Sequence, residues 1–273
     1  MIGNYLFIAL LGIFCGVCIW WGVRVLPKEN WQFFASIPVK KQDDGTWDAV
    51  NITWYGLLLS SANVFAAMIF FVMLGSVGKP FSAGLLLLLS LLLICVPASS
   101  LVARIVERKA ATLTIGGAAF VGAIAAPFLI ILLNRFAGKA MGFELPIAQT
   151  LAACAVSFLF GEGMGRLSCL SYGCCYGKPV EETRGILRRL FEKVPLVFHG
   201  SSKKISYASG LEGRKVVPIQ PITMIACVSF GMITLLLFAE GYFLASYLVA
   251  SVFANFWRVF SEIFRADFRG GGK

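Results

Sequence analysis

Seven stretches of about twenty residues, nearly free of charge, recur along this chain, and no other feature constrains its fold as strongly. A helix needs roughly 20 apolar residues to cross the hydrocarbon core of a bilayer. The stretches are approximately 5–22, 52–74, 84–103, 113–133, 147–165, 220–239 and 241–260. Leu85–Leu93 contains one serine and is otherwise all leucine, so it fits no half-exposed helix or strand. Of the 273 residues, 58% are apolar and 14% charged, whereas a soluble domain carries about a quarter charged residues. A water-soluble globule is excluded, as are disorder and a collagen-like repeat. The expected fold is an all-α integral membrane protein, a bundle of about seven transmembrane helices.

The connections refine this reading. Most are short, as in a helical bundle. Two are longer: Arg24–Asn51 and Cys169–Pro218. The second is too polar for lipid and too long for a turn, so residues 169–218 are expected to form a small extramembrane cap between the fifth and sixth helices, inserted in a single transmembrane domain over 1–273. Within it, Lys203–Tyr207 and Lys215–Ile219 are expected as short strands. The first apolar stretch follows no Lys or Arg and precedes no small-residue cleavage site, so it is expected to stay as a helix. Arg269–Lys273, with three glycines, reads as a flexible tail.

The net charge of +10 lies mostly outside the apolar stretches. Arg24, Lys28, Lys40, Lys41, Arg108, Lys109 and the cap carry most of it on one face. Read by the positive-inside rule, that face is cytoplasmic, although a site for anionic lipid would also gather basic residues there. No basic stretch interleaved with aromatics suggests a nucleic-acid surface.

Charges inside apolar helices are costly and mark candidate function. Arg104 ends the third helix. Glu162 and Arg166 lie four residues apart among Gly161, Gly163 and Gly165, and Arg258, Glu262 and Arg265 are spaced i, i+4, i+7. Spacings of four and seven put side chains on one helical face, where each carboxylate can neutralise a guanidinium. The guanidinium fork pairs two oxygens of a phosphodiester at once, so converging arginines make a lipid-phosphate clamp. Snorkelling to headgroups is the plainer role for such residues taken singly.

Eight cysteines, five of them inside apolar stretches, do not make a secreted disulfide scaffold. Cys169, Cys174, Cys175 and the lone histidine, His199, match no standard zinc spacing, so no metal and no cofactor are expected. Cys174-Cys175 also admits a thiol-redox role. The CxxC pair Cys15 and Cys18 reads as helix packing.

Beyond these features, residues 53–267 resemble the bacterial prolipoprotein diacylglyceryl transferases. The resemblance is carried by Trp54-Tyr55-Gly56-Leu57, Ala103-Arg104, Gly116-Gly117, the run Gly165-Arg166 to Gly173-Cys174-Cys175-Tyr176-Gly177, and Arg258-x-x-x-Glu262-x-x-Arg265. It implies a multi-pass enzyme of the bacterial inner membrane that uses phosphatidylglycerol. A diacylglyceryl group passes to a cysteine thiol of a lipoprotein and a glycerol phosphate leaves. By carry-over, Arg166 and Arg258 hold the departing phosphate, with Glu162 and Cys169 as further catalytic candidates. Tyr55, Arg104, Gly116, Gly117, Gly173, Gly177, Glu262 and Arg265 fall on the substrate side.

The chain departs from the family pattern where a base is expected. A His often precedes the paired glycines, and here that position is Ile115; Cys169 stands where an Asn is common. Gln220–Ala226 replaces a His-Pro-(Ser/Thr)-Gln-Leu-Tyr-Glu segment. The chain is also expected to carry an additional N-terminal helix and to lack the family's last one. These departures leave room for a different acceptor nucleophile, or for a non-catalytic protein that binds or transports an anionic phospholipid.

Overall fold

A computed structural model of the chain describes residues 2–30, 32–105 and 115–266; Arg108, Lys109 and the 269–273 tail lie outside them. Among the described residues, seven helices are long and apolar enough to cross a membrane. They are α1 (Ile2–Val25), α2 (Trp54–Ser76), α3 (Phe81–Ile105), α4 (Ile115–Leu133), α5 (Ile147–Tyr172), α8 (Ile219–Ala239) and α9 (Phe243–Glu262), with two short helices, α6 (Gly185–Lys193) and α7 (Lys204–Ser209), between α5 and α8. The all-α membrane architecture expected from hydropathy is present. The fifth helix runs seven residues past its expected end, because Arg166–Tyr172 stay helical until Gly173 takes a left-handed conformation.

The chain divides into two compact units. The first takes Met1–Ala66, Phe158–Leu236 and Ser251–Asp267; the second takes Ala67–Ser157 and Leu237–Ala250. In the first unit, small residues let helices approach closely, as membrane packing requires. A Cβ on Gly161 would lie 3.0 Å from Ala66 Cβ of α2, and one on Gly163 would lie 3.2 Å from Cys227 Cβ of α8. A Cβ on Gly22 of α1 would lie 2.2 Å from Leu167 of α5. Phe230 of α8 stacks on Phe253 of α9 with ring centroids 3.8 Å apart. In the second unit, α3 packs on α4, and a Cβ on Gly122 would lie 3.1 Å from Cys95 Sγ. There, a π-helical turn, Asn134–Gly138, follows α4. The Asn134 side chain bonds both backbone groups of Leu145 at 2.8 Å, closing the turn before α5.

The connection after α1 is not a plain loop. It forms an antiparallel hairpin of β1 (Phe33–Lys41) and β2 (Trp47–Thr53), turned at Gly45, where φ is 86°. β2 runs directly into α2, whose N-terminus is capped by Thr53 Oγ1 accepting the Gly56 N–H at 3.0 Å.

The cap departs from both expected strands. Lys203–Tyr207 is not a strand: Lys204–Ser209 is helix α7, ended by Gly210 in the left-handed region. Its single β-branched residue, Ile205, gives too little strand preference to resist the flanking glycines. Of the expected strand Lys215–Ile219, only Lys215–Val216 is one, β4, paired with β3 (Leu196–Val197), because Ile219 already opens α8. Val180, Phe191, Val217 and Ile219 form the cap's small core.

Lys203 is fully buried and joins three segments. Its ammonium donates to the carbonyls of Leu26, just past α1, at 2.9 Å and of Ser171, in the last turn of α5, at 2.7 Å. A cation at two helix C-termini meets their partial negative charge. Burial pushes the Lys203 pKa down to about 8, opposed by Glu29. The unfolded chain therefore holds more protons than the folded one between about pH 8 and the ordinary lysine value. Stability should rise with pH across that window. Lys203→Met should lower the unfolding temperature, by orphaning two carbonyls, and erase this rise; thermal unfolding of both proteins from pH 7.5 to 10.5 checks it.

Candidate active site

The site begins at the C-terminal half of α5. Arg166 projects from it at 17% side-chain exposure and pairs with Glu162, one turn earlier and 14% exposed. Gly163 admits α8 to this stretch, which explains the glycines beside the ion pair. α5 stops at Gly173, which takes φ 69° and donates its N–H to Cys169 O at 2.9 Å, while the Cys174 N–H reaches the same carbonyl at 3.2 Å. Only the left-handed conformation closes a helix this way, and glycine adopts it without strain. Cys175 then follows with φ 55°, the one non-glycine residue in that region among the described residues.

The next residues pair with the segment after α9. Lys178 N–H donates to Phe264 O at 2.9 Å, Ala266 N–H to Tyr176 O at 3.1 Å, and Gly177 faces Arg265 across the bridge. This overturns one expectation. Arg265 does not sit on the α9 face two turns after Arg258, because the helix ends at Glu262 and a tight turn carries Arg265 into extended pairing with Gly177. Its side chain is 7% exposed and meets Glu262 at 3.4 Å.

A small, part-open recess results, lined by Arg166, Cys175, Ile219, Gln220, Thr223, Ser261 and Arg265. Two of its buried polar atoms, Arg166 Nε and Gln220 Oε1, have no hydrogen-bond partner. Gln220 Nε2 donates to Cys174 O at 2.9 Å, anchoring the Cys turn to α8. Thr223 Oγ1 accepts the Trp257 indole N–H at 3.1 Å, tying α8 to α9. The Cys175 thiol is held well below its ordinary pKa by hydrogen bonds with Cys169 and Cys174, aided by Arg166 and Arg265 and opposed by burial.

The arginines of this recess are therefore Arg166 and Arg265. Arg258 is half-buried on α9 and is not among the lining residues. Tyr55 lies in the first turn of α2 with its ring 5.5 Å from that of Tyr172, whose hydroxyl meets Tyr207 at 2.6 Å. Gly173 and Gly177 shape the loop. Arg104, exposed at the end of α3, and Gly116 and Gly117 belong to the second unit. Cys169 is buried with its sulfur close to those of Cys174 and Cys175, and exposed His199 is not part of that group.

Gln220 and Thr223 were missed as site residues in the sequence. Their signal was present: they are the polar side chains that open an otherwise apolar helix. The sequence pattern of the prolipoprotein diacylglyceryl transferase family matches residues 46–272. The chain belongs to that family. No curated protein matches it. The match covers the motif residues from Tyr55 to Arg265, so this is a multi-pass membrane protein of a diacylglyceryl transferase family, within lipoprotein biosynthesis.

Proposed function

We propose that this chain transfers the diacylglyceryl group of phosphatidylglycerol, or a similar anionic glycerophospholipid, to a thiol in the bacterial inner membrane. The acceptor thiol loses its proton and its sulfur attacks the terminal glyceryl carbon of the lipid. The bond from that carbon to the phosphate oxygen breaks, a thioether forms, and glycerol phosphate leaves. The leaving phosphate gains negative charge, which preorganised guanidinium groups in a nearly dry site stabilise better than water does.

The observation that carries this reading is the recess itself. Arg166 and Arg265 come from segments almost 100 residues apart and line one cavity, and the Arg166 Nε–H there lacks an acceptor. A buried donor without a partner costs about 1–3 kcal/mol, which a phosphate oxygen would recover. Arg258, three residues and so nearly one helix turn before Ser261, is proposed to meet the headgroup from the α9 side. Glu162 is committed to Arg166 and is assigned as its counter-ion, not as the base.

Protein purified in detergent and mixed with phosphatidylglycerol carrying a labelled glycerol headgroup tests the proposal. With a lipobox-type cysteine peptide, labelled glycerol phosphate should be released in step with formation of a thioether peptide. Tight binding of intact lipid without release, for any thiol offered, would instead favour the lipid-binding protein; the polar groups absent from Gln220–Ala226 are the observation on that side.

A further inference from the structure

The sulfurs of Cys169, Cys174 and Cys175 all lie within 4.8 Å of one another. Three convergent sulfurs are a stronger feature than the sequence spacing suggests. Cys169 closes the last turn of α5, Gly173 reverses the chain, and the left-handed backbone at Cys175 turns a third thiol back toward the first. The Gln220 side chain holds the Cys174 carbonyl, fixing the turn from outside. Cys169 and Cys174 are 7% and 8% exposed.

We propose that these three cysteines bind one thiophilic d10 metal ion as a tris-thiolate: Cu(I) in a trigonal plane, or Zn(II) with water as a fourth ligand. A metal–sulfur bond of about 2.3 Å sets the sulfurs about 3.8 Å apart in a tetrahedron and about 4.0 Å apart in a plane. The observed group needs to contract by less than about 1 Å to meet either geometry. No carboxylate or imidazole joins the group among the described residues, so the donor set is all sulfur and selects soft ions over Mg(II) or Ca(II). Charge agrees as well. Three thiolates around Cu(I) or Zn(II) carry a net negative charge, and Cys175 shares its recess with Arg166 and Arg265, which offset that charge. On binding, each thiol releases its proton to solvent and no oxidation is involved. The site stands on the sulfur geometry and does not depend on the recess accepting a phosphate.

The test uses the full chain in detergent, reduced and stripped with a chelator. Titration with Cd(II) as an optical probe should give a thiolate-to-metal charge-transfer band that saturates at one ion per chain. Cu(I) delivered from a chromophoric chelate should load to the same stoichiometry and displace the Cd(II) band, and a Zn(II) arm reads which ion is held more tightly. Cys169→Ser, Cys174→Ser and Cys175→Ser should each weaken binding by about 100-fold or more, at least what losing an outer-shell partner costs, and Cys154→Ser should not. Because a variant can fail to fold, X-ray absorption of the loaded wild-type protein gives an independent reading. Three sulfur neighbours at about 2.3 Å are expected. Sulfur counts of two or fewer, no stoichiometric band, or full affinity in Cys175→Ser would overturn the proposal, as would a disulfide between any two of the three cysteines after reduction.

Discussion

Replacing Arg166 with alanine is expected to reduce release of glycerol phosphate from labelled phosphatidylglycerol by about 100-fold or more, the loss seen when one preorganised donor is removed from a developing anion. The variant carries a second effect that has to be separated. Glu162 is 14% exposed and paired with Arg166, so alanine at 166 leaves a carboxylate nearly buried without its counter-ion. Stranding a charge in this way costs about 3–5 kcal/mol. Arg166→Ala should therefore unfold at a lower temperature as well as turn over slowly. Adding Glu162→Gln to Arg166→Ala removes the stranded charge. The double variant should recover much of the unfolding temperature and none of the activity, because the phosphate still lacks its fork. Glu162→Gln alone should keep measurable turnover, since a counter-ion can be replaced and a general base cannot. Arg166→Lys should restore folding but little activity, because an ammonium is a point charge and cannot pair two phosphate oxygens. Wild-type turnover in the lysine variant would rule out the clamp.

These outcomes depend on which parts of the site were visible in one dimension. The seven spans were, because a bilayer demands long uncharged segments and little else in a sequence looks like that. Arg166 was too, since a charge inside such a segment needs a reason. Arg265 was found by spacing for the wrong structural cause. The i, i+4, i+7 pattern placed it on a continuing helix, whereas the helix stops at Glu262 and backbone pairing with Gly177 aims the side chain. Pairing between residues almost 90 positions apart leaves no trace in local periodicity. The hairpin of β1 and β2 was hidden for a different reason. Phe33, Phe34, Ile37 and Val39 are all exposed, so the strand packs neither face on a core, and Asp44-Gly45 was the main local sign of a turn. The sulfur cluster was hidden because the helix end between Cys169 and Cys174 brings together residues whose spacing fits no familiar ligand pattern.

Gly177→Ala is expected to be the most damaging substitution of a single small side chain. A Cβ at 177 would lie 2.3 Å from Val217 O and 2.8 Å from Val217 Cβ. The obstacle is mainly backbone, so no rotamer change relieves it. The three residues around it are bonded on both sides: Val217 N–H to Lys178 O and Lys178 N–H to Phe264 O, each at 2.9 Å, with Ala266 N–H to Tyr176 O at 3.1 Å. Moving 217 away breaks the inner pairing; moving 177 away displaces Arg265. Overpacking of this kind costs about 1–3 kcal/mol, which lowers the unfolding temperature by roughly 3–10 °C in a chain of this size. Activity should fall further than stability does, by about 10-fold or more, because a misplacement near 1 Å is enough to cost catalytic alignment. Two measurements distinguish this positioning role from direct lipid contact at Gly177. Lipid contact alone would raise KM and leave the unfolding temperature unchanged. Positioning through Arg265 predicts a lower kcat, a lower unfolding temperature, and a double variant with Arg265→Ala that loses no more activity than Arg265→Ala alone. Additive losses in that pair would show that Gly177 acts on the reaction by some route other than the guanidinium it places.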